Sequence, residues 1–299
     1  MTLMRCAWFI ALSNLLALIL ISMSARRLPD AGQLAFTNDP GGYADIFLFD
    51  LRTHISVNLT RSPERDEIAP TWSPDGEQLV FQSLDKQALT DVLYVRHMRT
   101  GSERRLTHDG TYSFSPDWSP DGTQIVYVLG YNLIRAIELD GSDDHQMARG
   151  IDPVWSPDGT QVAYITIDES GGTHLASVNV ATGVRNFLSL GALALLTPAW
   201  SPDGSQIALT VVNDPRDADI HVFTVACLPA CQSAPVLRIN DTMSEIAPAW
   251  SPDGTQIAYV CVRRPTTSDL CVTDVTTRER RILTAVPPNV SYGSPAWRP

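Results

Sequence analysis

A short motif, PxWSPDG, recurs along the sequence at nearly regular intervals and constrains the fold more than any other feature. Five copies are complete, and a sixth ends after PxW in the stretch PAWRP at the end of the sequence. The motif tryptophans are Trp72, Trp118, Trp155, Trp200, Trp250 and Trp297. A period of roughly 45 residues is typical of propellers and solenoids, in which each repeat is one supersecondary unit.

Each repeat has the pattern of four short β-strands. SPDG is turn chemistry, because proline presets φ, aspartate bonds its own backbone and glycine takes the positive φ that closes the turn. Runs rich in β-branched and aromatic residues follow, such as TQIAYV, DLCVTDV and RRILT. With the PxWS strand these make one propeller blade. After residue 30 we find no run with helical periodicity.

The ends of the repeat array favour a closed ring over an open solenoid. Residues 28–60 contain the second, third and fourth strands of a repeat, and residues 294–298 contain the missing first strand. A ring that joins them leaves no open sheet edge. We therefore predict an all-β, six-bladed β-propeller over residues 30–299, with four-stranded blades, in which the last strand joins the N-terminal blade.

These repeats resemble the WD-repeat-like propeller repeats of TolB-type proteins, as in WSPDGTQIAYVCVRRPTTSDLCVTDVTTRERRILT. The resemblance covers nearly the whole sequence after residue 30. It implies a six-bladed propeller that binds a protein at the cell envelope. TolB-type proteins also carry an α/β domain before the propeller. We expect no such domain here, because the first blade follows the N-terminal apolar segment within a few residues.

An apolar segment over residues 6–23 opens the sequence. It follows a single basic residue, Arg5, and small residues occur at its end, at Ser22 and Ser24. This pattern favours a signal peptide over residues 1–24. The run is also near the lower length limit for a membrane span, so an uncleaved anchor is an alternative, as is a buried helix. Both the signal peptide and the anchor predict a periplasmic or extracellular propeller.

Four cysteines follow this segment, namely Cys227, Cys231, Cys261 and Cys271. An even number in an exported chain predicts disulfides, here two local ones. The second pair flanks a hairpin whose antiparallel strands could bring the two residues together. Free thiols and a four-cysteine metal site are alternatives, although neither pair has C-x-x-C spacing or a flanking histidine.

The most repeated polar and aromatic residues are interpreted as structural. The turn aspartates are assigned to capping their own turns, and the motif tryptophans to packing between blades. These aspartates are Asp75, Asp121, Asp158, Asp203 and Asp253. The six histidines share no repeat position and no metal-binding spacing. There is also no G-x-S-x-G motif. We therefore predict a protein that is not an enzyme and holds no cofactor or metal.

The variable segments before the motif prolines are the predicted binding region. We expect them to form loops around one mouth of the central channel, where loops on a rigid scaffold commonly bind. Glu67, Asp152, Glu245 and Tyr292 are the predicted binding residues. Solvated loops without a ligand are the alternative. The CLPAC stretch in the fifth complete repeat is a second candidate.

The predicted function is that of an exported, non-catalytic scaffold that binds an envelope or extracellular protein, or a peptide or glycan. The first alternative is a propeller-type carbohydrate-active lyase with a channel-bound metal, and the second is a sensory ectodomain anchored through residues 6–23. The net charge of -11 predicts no nucleic-acid partner. We expect a monomer whose membrane attachment, if any, is through residues 6–23.

Overall fold

The computed structural model describes residues 32–39, 42–85, 90–108, 112–188, 194–214, 217–225, 234–240, 244–263, 267–284 and 291–299. These ranges contain 24 strands, which form six four-stranded antiparallel sheets. The described ranges contain no helix with the length and apolarity needed to cross a membrane. The segment predicted to be a signal peptide or anchor lies outside them.

Each sheet is one blade of a propeller, and the blades follow one another along the chain. Blade 1 contains β1 (Gln33–Asp39), β2 (Asp45–Asp50) and β3 (Ile55–Asn58). Blade 2 contains β4 (Arg65–Trp72), β5 (Gln78–Asp85), β6 (Thr90–His97) and β7 (Glu103–Arg105). Blade 3 contains β8 (Ser113–Trp118), β9 (Gln124–Leu129), β10 (Leu133–Glu138) and β11 (His145–Arg149).

The remaining blades repeat this order. Blade 4 contains β12 (Ile151–Trp155), β13 (Gln161–Ile167), β14 (Thr173–Asn179) and β15 (Arg185–Leu188). Blade 5 contains β16 (Ala194–Trp200), β17 (Gln206–Asp214), β18 (Asp217–Thr224) and β19 (Leu237–Ile239). Blade 6 contains β20 (Ser244–Trp250), β21 (Gln256–Arg263), β22 (Thr267–Asp274) and β23 (Arg280–Ile282). The last strand is β24 (Ser291–Trp297).

The last strand completes blade 1. Its sheet has the order β24-β1-β2-β3, so β24 takes the position that the PxW strand has in the other blades. The pairing is antiparallel, with Leu34 opposite Trp297 and Ala35 opposite Ala296. The prediction of a six-bladed all-β propeller closed by its last strand is therefore confirmed.

Each motif tryptophan lies in a hydrophobic cluster between two neighbouring blades. Trp72, for example, packs against Ala35 and Ile46 of blade 1 and against Leu79 and Phe81 of its own blade. Three of the indole N–H groups also donate to a carbonyl of the preceding blade, those of Trp72, Trp118 and Trp297. The tryptophans therefore belong to the core between blades, where burial of large aromatic surface stabilises each junction.

The SPDG turns form a second set of repeated contacts. In the first turn the Ser73 hydroxyl donates to Asp75 at 2.6 Å, and Asp75 accepts the Glu77 N–H at 2.9 Å. The equivalent serine hydroxyls and backbone N–H groups lower the pKa of all five turn aspartates. The turn glycines have φ between 66° and 73°, a conformation that glycine adopts without steric cost.

Neighbouring SPDG turns contact each other, and Arg298 completes this set of contacts. A Cβ on Gly122 would lie 3.5 Å from Pro74 of the preceding turn, and the next three turns repeat this contact. At Gly76 the equivalent proline is Pro299, at 3.8 Å, and the Arg298 side chain lies closer, at 3.3 Å. The Arg298 side chain donates to the Gly76 carbonyl at 3.0 Å and to Gln33 at 2.8 Å, and it lies over the Trp72 ring. A buried arginine thus links blade 1 to blade 2.

Candidate functional site at the channel mouth

The two faces of the ring differ in the segments that form them. We call the face at which the inner strands begin the mouth face. Because the strands of a blade are antiparallel, the hairpins between second and third strands also lie on it. We call the opposite face, with its SPDG turns, the turn face.

Each inner strand has a bulge directly before its motif proline. The six residues before the prolines have φ between 39° and 54°, and the register of pairing shifts in all six inner ladders. They are Ala69, Ser115, Asp152, Thr197, Ala247 and Ser294. Positive φ is uncommon outside glycine, and bulges of this kind redirect side chains. All six residues line one cavity of the channel.

The channel contains two adjoining cavities. The one lined by the six pre-proline residues has a volume of about 150 Å³. The second, of about 380 Å³, is lined mainly by the residues between each proline and tryptophan and by the tryptophans themselves. Both are bordered by Pro70, Val154, Pro198, Pro248 and Pro295, so they follow each other along the channel. Each cavity has one acidic residue in its lining, Asp152 in the first and Asp117 in the second.

Asp152 lies in the channel lining, as the sequence predicted for a residue near the mouth. One carboxylate oxygen accepts the Ser115 hydroxyl at 3.0 Å, and the other accepts the Thr197 N–H at 3.1 Å. These donors belong to blades 3 and 5, so Asp152 of blade 4 connects three blades. Its role in binding a ligand remains a prediction.

Asp117 was not predicted as a site residue, although its position gives a signal. It lies between the motif proline and tryptophan, where the other five blades have Thr71, Val154, Ala199, Ala249 and Ala296. Its carboxylate accepts the Trp155 N–H at 2.8 Å and the Thr71 hydroxyl at 3.3 Å. Burial raises the pKa of Asp117 to about 7, against the opposing effect of these hydrogen bonds.

The prediction that the segments before the motif prolines are loops is wrong. They form the first parts of the inner strands, because each continues the antiparallel pairing with the second strand beyond the bulge. Glu67 lies in β4 and Glu245 in β20. Tyr292 lies in β24, where its backbone is opposite Asn38. All three occupy the same place in their repeats, three residues before the proline.

Glu67 and Glu245 lie in equivalent local structures. Both belong to the tetrapeptide EIAP, which occurs at residues 67–70 and 245–248. In each case the alanine N–H, displaced from the ladder by the bulge, donates to a threonine hydroxyl of the preceding blade, Thr37 or Thr210. The repeated tetrapeptide is the sequence signal that could have identified the two sites as a pair.

Both carboxyl groups are buried. Glu67 is 2% exposed and Glu245 is 0% exposed. One oxygen of Glu67 and both oxygens of Glu245 have no hydrogen-bond partner among the described residues. Burial raises the pKa of Glu67 to about 7 and, with the charges of Asp219 and Asp217, that of Glu245 to about 8. Neither group is available to a ligand at the protein surface.

The surface of the mouth face carries exposed tyrosines. Tyr131, in the turn between β9 and β10, is 92% exposed. The carbonyl of Tyr112 accepts the Gly130 N–H at 2.7 Å, which brings Tyr112 next to this turn. Tyr43 and Ile167 are also exposed on hairpins of this face. The sequence signal was a bulky aromatic residue in the hairpin turn GYN, where turn chemistry favours small or polar residues.

The predicted disulfide between Cys261 and Cys271 is present. It joins β21 and β22, with the two Cα atoms 6.0 Å apart, and both residues are fully buried. Cys261 is also opposite Glu245 in the pairing of β20 with β21. The second predicted pair, Cys227 and Cys231, and the loop that contains it lie outside the described residues.

Metal-binding geometry is absent from the described part of the chain, where no three histidine, cysteine, aspartate or glutamate side chains group to hold an ion. The carboxylates at the channel and mouth are instead engaged with backbone and hydroxyl donors, or buried alone.

Comparisons with known proteins agree with the geometry. Residues 21–152 match the family model of the TolB beta propeller domain. TolB from Acinetobacter baumannii has a TM-score of 0.76 and 20% identity, over 90% of this chain and 67% of that chain. Putative TolB from Agrobacterium tumefaciens has a TM-score of 0.68 and 20% identity, over 84% and 88%.

An enzyme shares the same architecture. An oligogalacturonate lyase in complex with manganese has a TM-score of 0.56 and 18% identity, over 86% of this chain and 75% of that chain. The search of curated proteins gave no match. At these identities the structural likeness shows the fold alone. The chain is thus similar to TolB-type propellers in the family match of residues 21–152, and it shares their fold in its six-bladed ring.

Proposed function

We propose that this chain is an exported, non-catalytic propeller that binds a partner protein on its mouth face. The observation that carries the proposal is the distribution of exposed tyrosines. Every exposed tyrosine among the described residues, namely Tyr43, Tyr112 and Tyr131, lies on the mouth face. Tyrosine is enriched at protein interfaces because it combines a large apolar ring with a polar group.

The charge of the mouth face indicates the chemistry of the partner. Its hairpins carry acidic residues at the strand ends, including Asp85, Asp91, Asp168, Asp214 and Asp217. The whole chain has a net charge of -11. A partner segment with basic residues beside apolar ones would match this surface, and its association would be faster at low salt.

The channel mouth also offers a place for a side chain of a docked protein segment. The cavity at the pre-proline ring has a volume of about 150 Å³ and adjoins the second cavity of about 380 Å³. It could accommodate one side chain of a docked segment, with Asp152 as the polar contact. Tyr292, on the strand that borders the same mouth, is proposed to contribute to this contact.

Export is proposed from two features of the sequence and fold. Residues 1–24 have the pattern of a signal peptide. The disulfide between Cys261 and Cys271 is the kind of bond that persists in oxidising compartments. With the TolB-type repeats, these features support a location at the cell envelope, with residues 6–23 as an anchor if they are not removed.

The test is affinity capture from envelope extract with the wild-type chain and a Tyr112→Ser/Tyr131→Ser variant. We expect the double variant to lose most of the captured partner, because central aromatic residues dominate interface energies. Val184→Ser is the matched control, since Val184 is 58% exposed on the turn face. Equal capture by all three proteins would contradict the proposal.

Metal analysis of the purified protein separates this proposal from the lyase alternative. The non-catalytic scaffold predicts no stoichiometric manganese, calcium or zinc. One equivalent of any of these, lost together with folding stability on chelation, would instead support a channel-bound metal.

A further inference from the structure

The two EIAP strands, at residues 67–70 and 245–248, differ from the other inner strands in what they bury. At the position three residues before the proline, the remaining blades have Ser113, Gly150, Leu195 and Tyr292, none of which carries a charge at neutral pH. Leu195 is fully buried in the cluster between blades 4 and 5. The equivalent position therefore faces the junction with the preceding blade. Glu67 and Glu245 place a carboxyl group in this apolar position at two junctions.

The surroundings of Glu245 favour its neutral form. The acidic groups that act on it are Asp217 and Asp219 of β18, and from its own blade the phenol of Tyr259 of β21. The Tyr259 hydroxyl is already paired with Thr273 at 2.9 Å. Within the described ranges, no arginine or lysine is among the groups that shift the pKa of Glu245. An ionised carboxylate buried beside two acidic groups and without a hydrogen bond is costly.

Glu67 is in a milder version of the same environment. Asp45 of β2 and Glu103 of β7 disfavour its charge, whereas Arg65 of its own strand and the Thr60 hydroxyl favour it. One of its oxygens remains buried without a partner. Because of this balance, the pKa of Glu67 is raised less than that of Glu245.

We propose that the junctions between blades 1 and 2 and between blades 5 and 6 are proton-linked: Glu67 and Glu245 are buried there as neutral carboxylic acids, and their ionisation loosens these two junctions but not the junction between blades 4 and 5, which has Leu195 at the equivalent position. The inner strands that carry them begin at the mouth face. At alkaline pH the local stability of β4 and β20 should therefore fall, whereas that of β16 should not. The inference concerns the fold and does not depend on the proposed partner.

The direction of the pH dependence follows from linkage. Each carboxyl has a higher pKa in the folded chain than in the unfolded chain, so the folded state binds more protons between the two values. The stability these groups contribute is fully present below 4.5, the ordinary pKa of a glutamate. It is lost as the pH rises through about 7 for Glu67 and about 8 for Glu245.

The experiment compares thermal unfolding of the full chain and of Glu67→Gln/Glu245→Gln at pH 5 and pH 8.5. Glutamine imitates the protonated acid in shape and neutrality. We expect the Tm of the wild-type chain to fall by several degrees more than that of the double variant over this interval. Glu77→Gln is the control, because Glu77 is paired with Arg99 on the surface at 2.8 Å. This substitution should leave the change of Tm between pH 5 and pH 8.5 the same as in the wild-type chain.

A second variant and a local measurement keep the proposal testable if the double glutamine variant does not fold. Glu245→Leu copies the residue at the equivalent position of blade 5 and should also flatten the pH dependence. Hydrogen exchange, corrected for the intrinsic effect of pH, should increase at alkaline pH in β4 and β20 and not in β16. Equal pH dependence of Tm in all variants, or uniform exchange around the ring, would overturn the proposal.

Discussion

The turn face and the mouth face of this propeller are built by opposite strategies. On the turn face the same residues recur in five blades, and each aspartate is held by its own serine and backbone N–H groups. On the mouth face the equivalent positions vary from blade to blade, two carboxyl groups are buried without full hydrogen bonding, and tyrosines are exposed. The repeated residues of the turn face therefore hold the ring together, whereas the variable residues of the mouth face form the surface that we propose for binding.

The largest expected effect concerns the closure of the ring. Deletion of residues 294–299 removes Trp297 and Arg298, and with them half of β24. The loss of an inner strand and a buried tryptophan should exceed the roughly 5–15 kcal/mol by which domains are usually stable. We expect a chain that unfolds or aggregates, as measured by circular dichroism and thermal unfolding.

Deletion of Pro299 alone is the control for this truncation, and it should lower the Tm far less, because it removes only the contact of this proline with Gly76. If the longer deletion unfolded at the same temperature as the full chain, the closure by β24 would contribute nothing to the fold.

A smaller effect is expected at the turn-face junction of blade 1 with blade 2, where Arg298 adds to the contact between Pro299 and Gly76. Arg298→Ala removes the hydrogen bonds to Gly76 and Gln33 and the contact with the Trp72 ring. We expect a loss of about 2–4 kcal/mol in the free energy of unfolding, as for other buried charged hydrogen bonds and cation–π contacts. Denaturant unfolding measures it.

The control for Arg298 is Arg52→Ala, because Arg52 forms an exposed ion pair with Asp50 at 3.6 Å. Exposed pairs of this kind contribute about 0–1 kcal/mol. Similar losses in the two variants would show that Arg298 does not link blade 1 to blade 2.

Substitution of a single turn aspartate should lower the free energy of unfolding less than loss of the closing strand. Asp158→Ala removes the acceptor for the Ser156 hydroxyl and the Thr160 N–H, and we expect a loss of about 1 kcal/mol at pH 7. Because these donors lower the pKa of Asp158 below 3.8, the ordinary value of an aspartate, its contribution is present above that pH and lost as the pH falls through the pKa of the folded chain. The stability difference between variant and wild type should therefore shrink in acid; a difference independent of pH would contradict the turn-capping role.

The tyrosines of the mouth face should contribute least to stability. Tyr131→Ser changes a side chain that is 92% exposed, and surface changes of this kind usually stay within about 0.5 kcal/mol. A large fall in Tm would show that Tyr131 is part of the core and weaken its assignment to binding.

The fold could be predicted from the sequence because its signals are local and repeated. Six PxW motifs and five SPDG turns indicate blades, and the distribution of strands between residues 28–60 and 294–298 indicates the closure. The disulfide of blade 6 followed from the same reasoning, since Cys261 and Cys271 flank one hairpin.

The details of the mouth depend on contacts between blades and could not be predicted in the same way. The bulge before each proline extends the inner strand into segments whose polar residues suggested loops. Whether Glu67 or Glu245 is exposed is decided by the preceding blade, which is distant in sequence. Only blade 3 has an acid between the motif proline and tryptophan, and the burial of Asp117 depends on its contacts with Thr71 of blade 2 and Trp155 of blade 4.

Site-specific photocrosslinking tests the division between the two faces most directly. A photoreactive amino acid replaces Tyr131 on the mouth face in one protein and Val184 on the turn face in another, and both are irradiated in envelope extract at low and high salt. The account predicts a discrete adduct from position 131 that weakens at high salt, and none from position 184. The same adduct from both positions, or an adduct from position 184 alone, would contradict the account.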